Sequence, residues 1–348
     1  MINDKGILIK NIYYMLSYAF QVLRQNNYEE VEAEDFENVF DMLAAILNKG
    51  VSQQLKKGLY REYVNQHDDL IALRGKVSIK ETIRNKMTHK QVMACEYDEL
   101  SENNMLNQII KTASIILLAQ KSVSEKQKKH IRKNMLFFSN VNKIESNAIS
   151  WNRIRYQRNN QNYRMLMNIS YLIIDSMILS TQTGEYKLPS FLDEQKMCRL
   201  YEKFILEYYR YHHPEVHANP IQIPWNLDDG IVEFLPVMQT DITLKYKGKV
   251  LIIDAKYYAY TMQMQYDVQT LHSNNLYQIF TYVKNMDKEN TGDVIGMLLY
   301  AKTLEQVTPN NEFSMSGNKI MVKTLDLNIS FSYIAEQLDE IRKVLNLA

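Results

Sequence analysis

The chain contains 348 residues, of which 46% are hydrophobic, a composition typical of a globular protein and not of a disordered one. Its 41 Lys and Arg nearly balance 40 Asp and Glu, so it is not basic throughout, as a protein that coats nucleic acid would be. The two cysteines lie far apart without metal-ligand spacing and no apolar run reaches transmembrane length, so we expect a cytoplasmic protein with neither a zinc site nor a membrane span.

The first 60 residues are predicted to be helical. Apolar residues recur at helical spacing in two successive segments, at Ile9, Ile12, Met15, Ala19, Phe36, Phe40, Leu43 and Leu47. Charged residues at Asp4, Lys5 and Lys10 interrupt the first segment. It therefore lacks the continuous apolar stretch that a secretory signal peptide requires.

Two strand-like runs, 70–79 and 91–97, precede a helix predicted over 103–120. The first run carries Arg74-Gly75-Lys76 in its middle. This tripeptide is either a basic turn or a contact for an acidic partner surface, and the sequence does not decide between them.

Positive charge is concentrated between residues 121 and 164. That segment holds eleven Lys and Arg against Glu125 and Glu145, a net charge of +9 (11 − 2) in a chain whose total is +1. Trp151, Tyr156 and Tyr163 are interleaved with the basic residues. The segment is either a surface for DNA phosphates or a partner protein, or a solvated helix face followed by a lysine-rich loop.

The polar run 158–162 is predicted to separate two domains, residues 1–160 and 161–348. After it come two amphipathic helices, a block of strands over 231–258, and then a helix, two strands and a final helix. This order predicts an α/β protein, in which an α+β N-terminal domain precedes a domain with a mixed central sheet flanked by helices.

The most informative segment is a predicted hairpin over 237–258. Gly248 marks a tight turn between two runs with strand character. If Lys247 and Gly248 form a two-residue loop, Asp241 lies directly opposite Asp254 on the neighbouring strand. A four-residue loop keeps this pairing, whereas a three-residue loop breaks it.

Two carboxylates directly opposite each other repel, so their pairing needs an explanation. Lys256 projects from the same face as Asp254, because side chains alternate along a strand. Oxygen ligands of this kind suit Mg²⁺ or Mn²⁺, and a lysine beside the metal can orient or deprotonate a water and offset charge on a phosphate. The alternative is structural, with Asp241 and Asp254 as strand-end residues paired with lysines such as Lys245 and Lys256.

Asp241 and the sequence Asp254-Ala255-Lys256 resemble the motif of the PD-(D/E)xK nuclease superfamily. More specifically, segments along most of the chain resemble the McrC family, the nuclease subunits of McrBC modification-dependent restriction systems. These segments are KNIYYMLSYA (10–19), LRGKV (73–77), YDELSEN (97–103), TDIT (240–243), IDAKYY (253–258) and HSNNLYQ (272–278). Together they are far more specific than the acid, acid and lysine alone.

The resemblance implies a catalytic set of Asp241, Asp254, Lys256, Gln278 and Glu202, with Asp241, Asp254 and the carbonyl oxygen of Ala255 as metal ligands. Gln278 and Tyr282 match the Q-x-x-x-Y element of RecB-like nucleases and share one helix face, although an ordinary amphipathic helix also explains their spacing. Glu202 lies where many relatives carry an upstream glutamate, on a partly apolar helix face where an acid usually has a partner.

The resemblance also implies a partner, an McrB-like AAA+ GTPase ring that recognises modified double-stranded DNA. Residues 1–160 would be the partner-docking domain and residues 161–348 the nuclease domain. The chain has no G-x-x-x-x-G-K-[ST] phosphate loop, so GTP hydrolysis is expected of the partner. The predicted function is a Mg²⁺-dependent DNA endonuclease subunit, and the alternative is a catalytically silent adaptor that only activates the partner NTPase.

Overall fold

The computed structural model describes residues 3–4, 7–20, 36, 38–157, 160, 162–182, 194–228, 233–258, 262–265, 268–302 and 308–345. Its α-helices are α1 (Ile9–Phe20), α2 (Val39–Leu55), α3 (Ile79–Met87), α4 (Met105–Ala119), α5 (Glu125–Met135), α6 (Tyr163–Gln182), α7 (Glu194–His212), α8 (Ser273–Met286) and α9 (Phe331–Arg342). Its strands are β1 (Asn3–Asp4), β2 (Ile7–Leu8), β3 (Glu62–Leu70), β4 (Lys76–Val77), β5 (Met93–Ser101), β6 (Gln222–Ile223), β7 (Met238–Gln239), β8 (Ile242–Tyr246), β9 (Lys249–Lys256), β10 (Met262–Gln265), β11 (Val268–Leu271), β12 (Val294–Lys302), β13 (Asn311–Met315) and β14 (Asn318–Asp326). Within these ranges, no helix is both long and apolar enough to cross a membrane.

The chain forms two compact units whose bounds differ from the predicted division at residue 160. The large unit contains Met1–Met42 and Leu188–Ala348, and the middle unit contains Leu43–Lys187. The first helix therefore belongs with the C-terminal part, and α6 belongs with the segment before it. The docking and nuclease roles expected of the two halves are not decided by this division.

The position of α1 follows from its aromatic side chains, which pack within the large unit. The hydroxyl of Tyr18 is hydrogen-bonded to Nε2 of His212 at 2.7 Å, although 194 residues separate them. The ring of Tyr14 stacks on Phe331 with 4.2 Å between ring centroids. Such aromatic pairs add to the burial of apolar area, and they fix α1 against α7 and α9.

A mixed five-stranded sheet forms the core of the large unit, in the order β13-β14-β12-β9-β8. β12 pairs in parallel with both β9 and β14, whereas β8 and β13 are antiparallel strands at the two edges. β9 and β12 are apolar runs buried along most of their length, as central parallel strands require. Helices α7, α8 and α9 pack against this sheet, so the prediction of an α/β protein with a mixed, helix-flanked sheet is confirmed.

The middle unit contains a three-stranded antiparallel sheet in the order β3-β5-β4, with α3 beside β5. Gly75 has a φ of +69°, and a side chain there would lie 2.3 Å from the carbonyl oxygen of Glu96. The guanidinium of Arg74 lies 3.9 Å from the ring centroid of Tyr97 and donates a hydrogen bond to Glu99 at 3.1 Å. The Arg74-Gly75-Lys76 segment is therefore a tight turn packed on β5.

Two aromatic residues of the basic segment, Trp151 and Tyr163, make contacts within the middle unit. Tyr163 is buried, and its hydroxyl donates a hydrogen bond to Asn107 and accepts one from the backbone N–H of Tyr60, both at 2.8 Å. The ring of Trp151 meets that of Tyr171 edge to face, with 5.0 Å between centroids. Tyr163 is therefore a buried structural residue, and Trp151 is partly buried against Tyr171.

Candidate active site

The hairpin of β8 and β9 has the predicted two-residue loop. Lys247 and Gly248 both have positive φ, +46° and +87°, which is the backbone of a type I′ turn. Tyr246 consequently pairs with Lys249, and the register runs without a bulge to the last pair, Ile242 with Ile253. Asp241 and Asp254 are the next two residues, so they stand opposite each other at the end of the hairpin.

The two carboxyl groups have different surroundings. Oδ2 of Asp241 accepts a hydrogen bond from the backbone N–H of Ala255 at 3.0 Å, which joins the start of β8 to β9. Asp254 is 1% exposed, and neither of its carboxyl oxygens accepts a hydrogen bond of good geometry from the described residues. Nζ of Lys256 lies 2.9 Å from Oδ2 of Asp254 as an ion pair.

Burial raises the pKa of both carboxyl groups in this cluster. It raises the pKa of Asp254 to about 7, against the opposing effect of Lys256 and with a further contribution from the charge of Asp241. Burial also raises the pKa of Asp241, although Lys256 and the Ala255 N–H favour its ionised form. Burial alone would lower the pKa of Lys256, but the two carboxylates outweigh it and raise that pKa, so the side chain is an ammonium at neutral pH.

Helix α8 brings Gln278 to the lysine. Nζ of Lys256 donates to Oε1 of Gln278 at 3.4 Å, and Nε2 of Gln278 donates to the hydroxyl of Tyr282 at 2.9 Å. That hydroxyl donates in turn to the backbone carbonyl of Gln239 at 3.1 Å. The predicted i and i+4 pair thus joins α8 to the end of β7 and to the ammonium on β9.

Helix α7 brings Glu202 to the same cluster. Burial and the negative charge of Asp241 raise the pKa of Glu202, which places these two acids within electrostatic range. Sγ of Cys198 donates to Oε1 of Glu202 at 3.1 Å and lies 3.9 Å from the carbonyl oxygen of Ala255. All the residues expected in the site are therefore brought together, on β8, β9, α7 and α8.

Cys198 is the member of the site that the sequence interpretation missed. The sequence interpretation gave neither cysteine a place in the site; Cys95 is buried, whereas Cys198 is only partly buried and contacts Glu202. Burial and the carboxylate of Glu202 raise the pKa of Cys198 to about 12, so it stays a protonated hydrogen-bond donor. Its spacing from Glu202, i and i+4 on one helix, was the available signal.

Comparison with known proteins gives concordant results. The chain matches the family described as McrBC 5-methylcytosine restriction system component over residues 3–301. It is 26% identical over 339 residues to the type IV methyl-directed restriction enzyme EcoKMcrBC of Escherichia coli (strain K12), which covers 96% of this chain and 97% of that relative. It is also similar to a chain in the refined half-complex from a tetradecameric assembly of Thermococcus gammatolerans McrB AAA+ hexamers with bound McrC, with a TM-score of 0.53 and 17% identity, over 96% of this chain and 76% of that one. At this identity the structural likeness shows the fold alone.

Proposed function

Because this chain belongs to the family of McrBC 5-methylcytosine restriction system components, we propose that it is the endonuclease subunit of a GTP-dependent, modification-dependent restriction complex. In this proposal it hydrolyses phosphodiester bonds of modified double-stranded DNA with the aid of Mg²⁺ or Mn²⁺, and it stimulates an McrB-like AAA+ GTPase. The observation that carries the proposal is the opposed pair of buried carboxylates, Asp241 and Asp254, with the ammonium of Lys256 beside them.

The donor set fits a hard divalent cation. Ionised Asp241 and Asp254 with protonated Lys256 leave one uncompensated negative charge, and Asp254 is buried with the ammonium of Lys256 beside it. Those residues contain no group of three or more His, Cys, Asp or Glu side chains placed to hold a metal. Mg²⁺ suits such a sparse set, because it binds through one or two carboxylates and keeps several waters. The carbonyl oxygen of Ala255 is the additional protein ligand that we propose.

A bound divalent cation supplies Lewis-acid charge at the scissile phosphate and lowers the pKa of a water. The role of Lys256 follows from its own protonation. As an ammonium it cannot remove a proton, so it donates hydrogen bonds to the attacking water or to the phosphate oxygens as negative charge develops there. Gln278 accepts a hydrogen bond from the ammonium, which restrains Lys256 beside the carboxylate pair.

Glu202 has a supporting role in this proposal. Its hydrogen bond from Cys198 holds it at the α7 side of the carboxylate pair. From there it can accept hydrogen bonds from water molecules between the protein and a metal. Cys198 fixes the orientation of Glu202 and takes no part in bond making.

Tyr282→Phe is expected to lower kcat for DNA cleavage by about tenfold with little change in KM, because it removes the hydroxyl that restrains Gln278 without removing the ring. Single-turnover cleavage rates measure this effect. Tyr277→Phe is the matched control, since Tyr277 is an exposed neighbour on the same helix. Equal rates for the two variants would show that the Gln278–Tyr282 pair only supports the helix.

The partner surface is proposed to lie on the middle unit. Large apolar side chains are exposed on and around its three-stranded sheet and α3, at Tyr63, Ile71, Leu73, Ile79, Ile83, Met87 and Leu100. A cluster of this kind is typical of a protein interface. The similarity to a chain solved with McrB AAA+ hexamers makes an McrB-like ring the partner that we propose.

Ile71→Asp is expected to raise about tenfold the concentration of this chain that gives half-maximal stimulation of the partner GTPase. The reason is that a charge replaces an apolar side chain that is 86% exposed and would contact the partner. Tyr333→Asp, at a 59% exposed position of the large unit, is the matched control. Stimulated GTP hydrolysis is titrated with each variant. Indistinguishable titrations would place the docking surface elsewhere.

The function as a whole is tested with the purified chain, an McrB-like AAA+ protein from the same organism, and methylated or unmethylated plasmid. Cleavage is expected only when methylated plasmid, GTP and Mg²⁺ are all present. Stimulated GTP hydrolysis without cleavage of any modified plasmid would favour the adaptor. The absence of both activities would reject the proposal.

A further inference from the structure

Helix α5 holds the densest positive charge in the described structure. Its eleven residues, EKQKKHIRKNM, include five Lys and Arg and a single acid, Glu125. The segment 121–164 carries +9, so the remaining residues together carry −8 (30 − 38). The rest of the chain is acidic and repels a polyanion such as DNA, so electrostatic attraction to one must come from this segment.

The inner face of α5 is fixed by buried amide groups. Nδ2 of Asn48 donates to the carbonyl oxygen and to Oε1 of Gln127, at 3.1 and 3.0 Å. Ser52 donates to Oδ1 of Asn134 at 3.2 Å, and Ile131 is buried between these two contacts. Buried hydrogen bonds are costly to leave unmade, so α5 cannot rotate about its axis.

The opposite face of α5 is consequently fixed towards solvent. Lys126, Lys129 and Lys133 follow one another at spacings of three and four residues, which places their exposed side chains in one stripe. Glu125 pairs with Lys128 at 3.8 Å and with Arg132 at 3.3 Å. Within the described part of the chain, no carboxylate lies at ion-pair distance from Lys129 or Lys133. The charges of Lys129 and Lys133 are therefore not neutralised by the carboxylates of the described residues.

We propose that this stripe on α5 binds the phosphate backbone of the DNA substrate. The inference rests on the proposed function, which supplies DNA as the polyanion. Lysine contacts of this kind are independent of sequence and position the duplex without selecting the modified base. Each such contact releases counterions from the DNA, so the slope of log K against log salt reports how many contacts are made. The exposed Leu136 and Phe137 beyond the end of α5 favour a protein partner instead, and the experiment separates the two.

The test uses the full chain with Asp254→Asn, so that binding is measured without cleavage, and a fluorescent duplex at several salt concentrations. Combining Lys126→Gln, Lys129→Gln and Lys133→Gln is expected to reduce the slope of log K against log salt by about 2.7, or about 0.9 for each contact. Affinity at 0.1 M salt is expected to fall by about 10- to 100-fold.

Lys245→Gln, Lys247→Gln and Lys249→Gln, combined at the β8–β9 turn, form the matched control with the same loss of charge. An equal reduction in both triple variants would overturn the proposal, because net charge would then explain it. An unchanged slope with lost GTPase stimulation would assign α5 to the protein partner and overturn it as well. If the Asp254→Asn chain bound no DNA even at low salt, the proposed function would fail together with this inference. Lys129→Gln alone, with an expected slope change of about 0.9, serves if the triple variant does not fold.

Discussion

Asp254→Asn is expected to reduce cleavage of methylated plasmid by about a thousandfold or more while leaving stimulation of the partner GTPase intact. Asparagine keeps the shape of the side chain, but it removes the charge of the more deeply buried of the two opposed acids. Loss of a metal ligand costs several kcal/mol of transition-state stabilisation, which corresponds to this factor in rate. Cleavage rate and phosphate release from GTP are measured in the same reaction.

The matched control for this experiment is Asp293→Asn, which removes one exposed carboxylate from the same unit. It is expected to cleave at the wild-type rate. Cleavage by Asp254→Asn at the rate of this control would remove Asp254 from the active site. Parallel loss of cleavage and of GTPase stimulation would indicate a folding defect and not a catalytic one.

The same substitution is expected to stabilise the metal-free protein. The unfolded chain ionises Asp254 at its ordinary pKa of about 3.9, whereas the folded chain does so only at about 7. The folded state therefore binds more protons across this interval, and the free energy of unfolding of the wild type falls as pH rises from about 4 through about 7. Asp254→Asn avoids this loss and should be more stable by roughly 2–4 kcal/mol at pH 8 in EDTA.

Chemical unfolding of both proteins in EDTA between pH 4 and pH 8 measures this difference. The two stabilities should converge towards pH 4, where Asp254 is protonated in the folded wild type and its ionisation no longer costs stability. A difference that does not depend on pH would mean that burial of Asp254 is compensated by its ion pair with Lys256. A lower free energy of unfolding of this kind is common where buried charges serve activity and do not contribute to stability.

The register of the β8–β9 hairpin could be predicted because short-range geometry determines it. Gly248 permits the positive φ of a two-residue turn, and side chains on each strand alternate with period two, so the opposition of Asp241 and Asp254 follows from counting. The contact between Lys256 and Gln278 could not be predicted from the local sequence in the same way. It depends on the crossover from β9 through α8 to β12, whose path the spacing of Gln278 and Tyr282 does not specify.

Other features depend on contacts between distant segments and could not be predicted from local patterns. The hydrogen bond between Tyr18 and His212 assigns α1 to the large unit, and no periodicity within α1 signals it. Tyr163 lies in a basic, polar segment, yet its burial is decided by Asn107 on another helix. The spacing of Cys198 and Glu202 on one helix is visible in the sequence, but the closeness of Glu202 to Asp241 is not, because the two acids lie on different elements.

The central claim is that Asp241 and Asp254 form one divalent-cation site, and calorimetric titration of the isolated chain with Mn²⁺ tests it most directly. The wild type is expected to bind one ion at neutral pH, while Asp241→Asn and Asp254→Asn each weaken binding by about 30-fold or more, and Asp293→Asn leaves it unchanged. Equal Mn²⁺ affinity in all four proteins would contradict the claim, whatever the cleavage assays show.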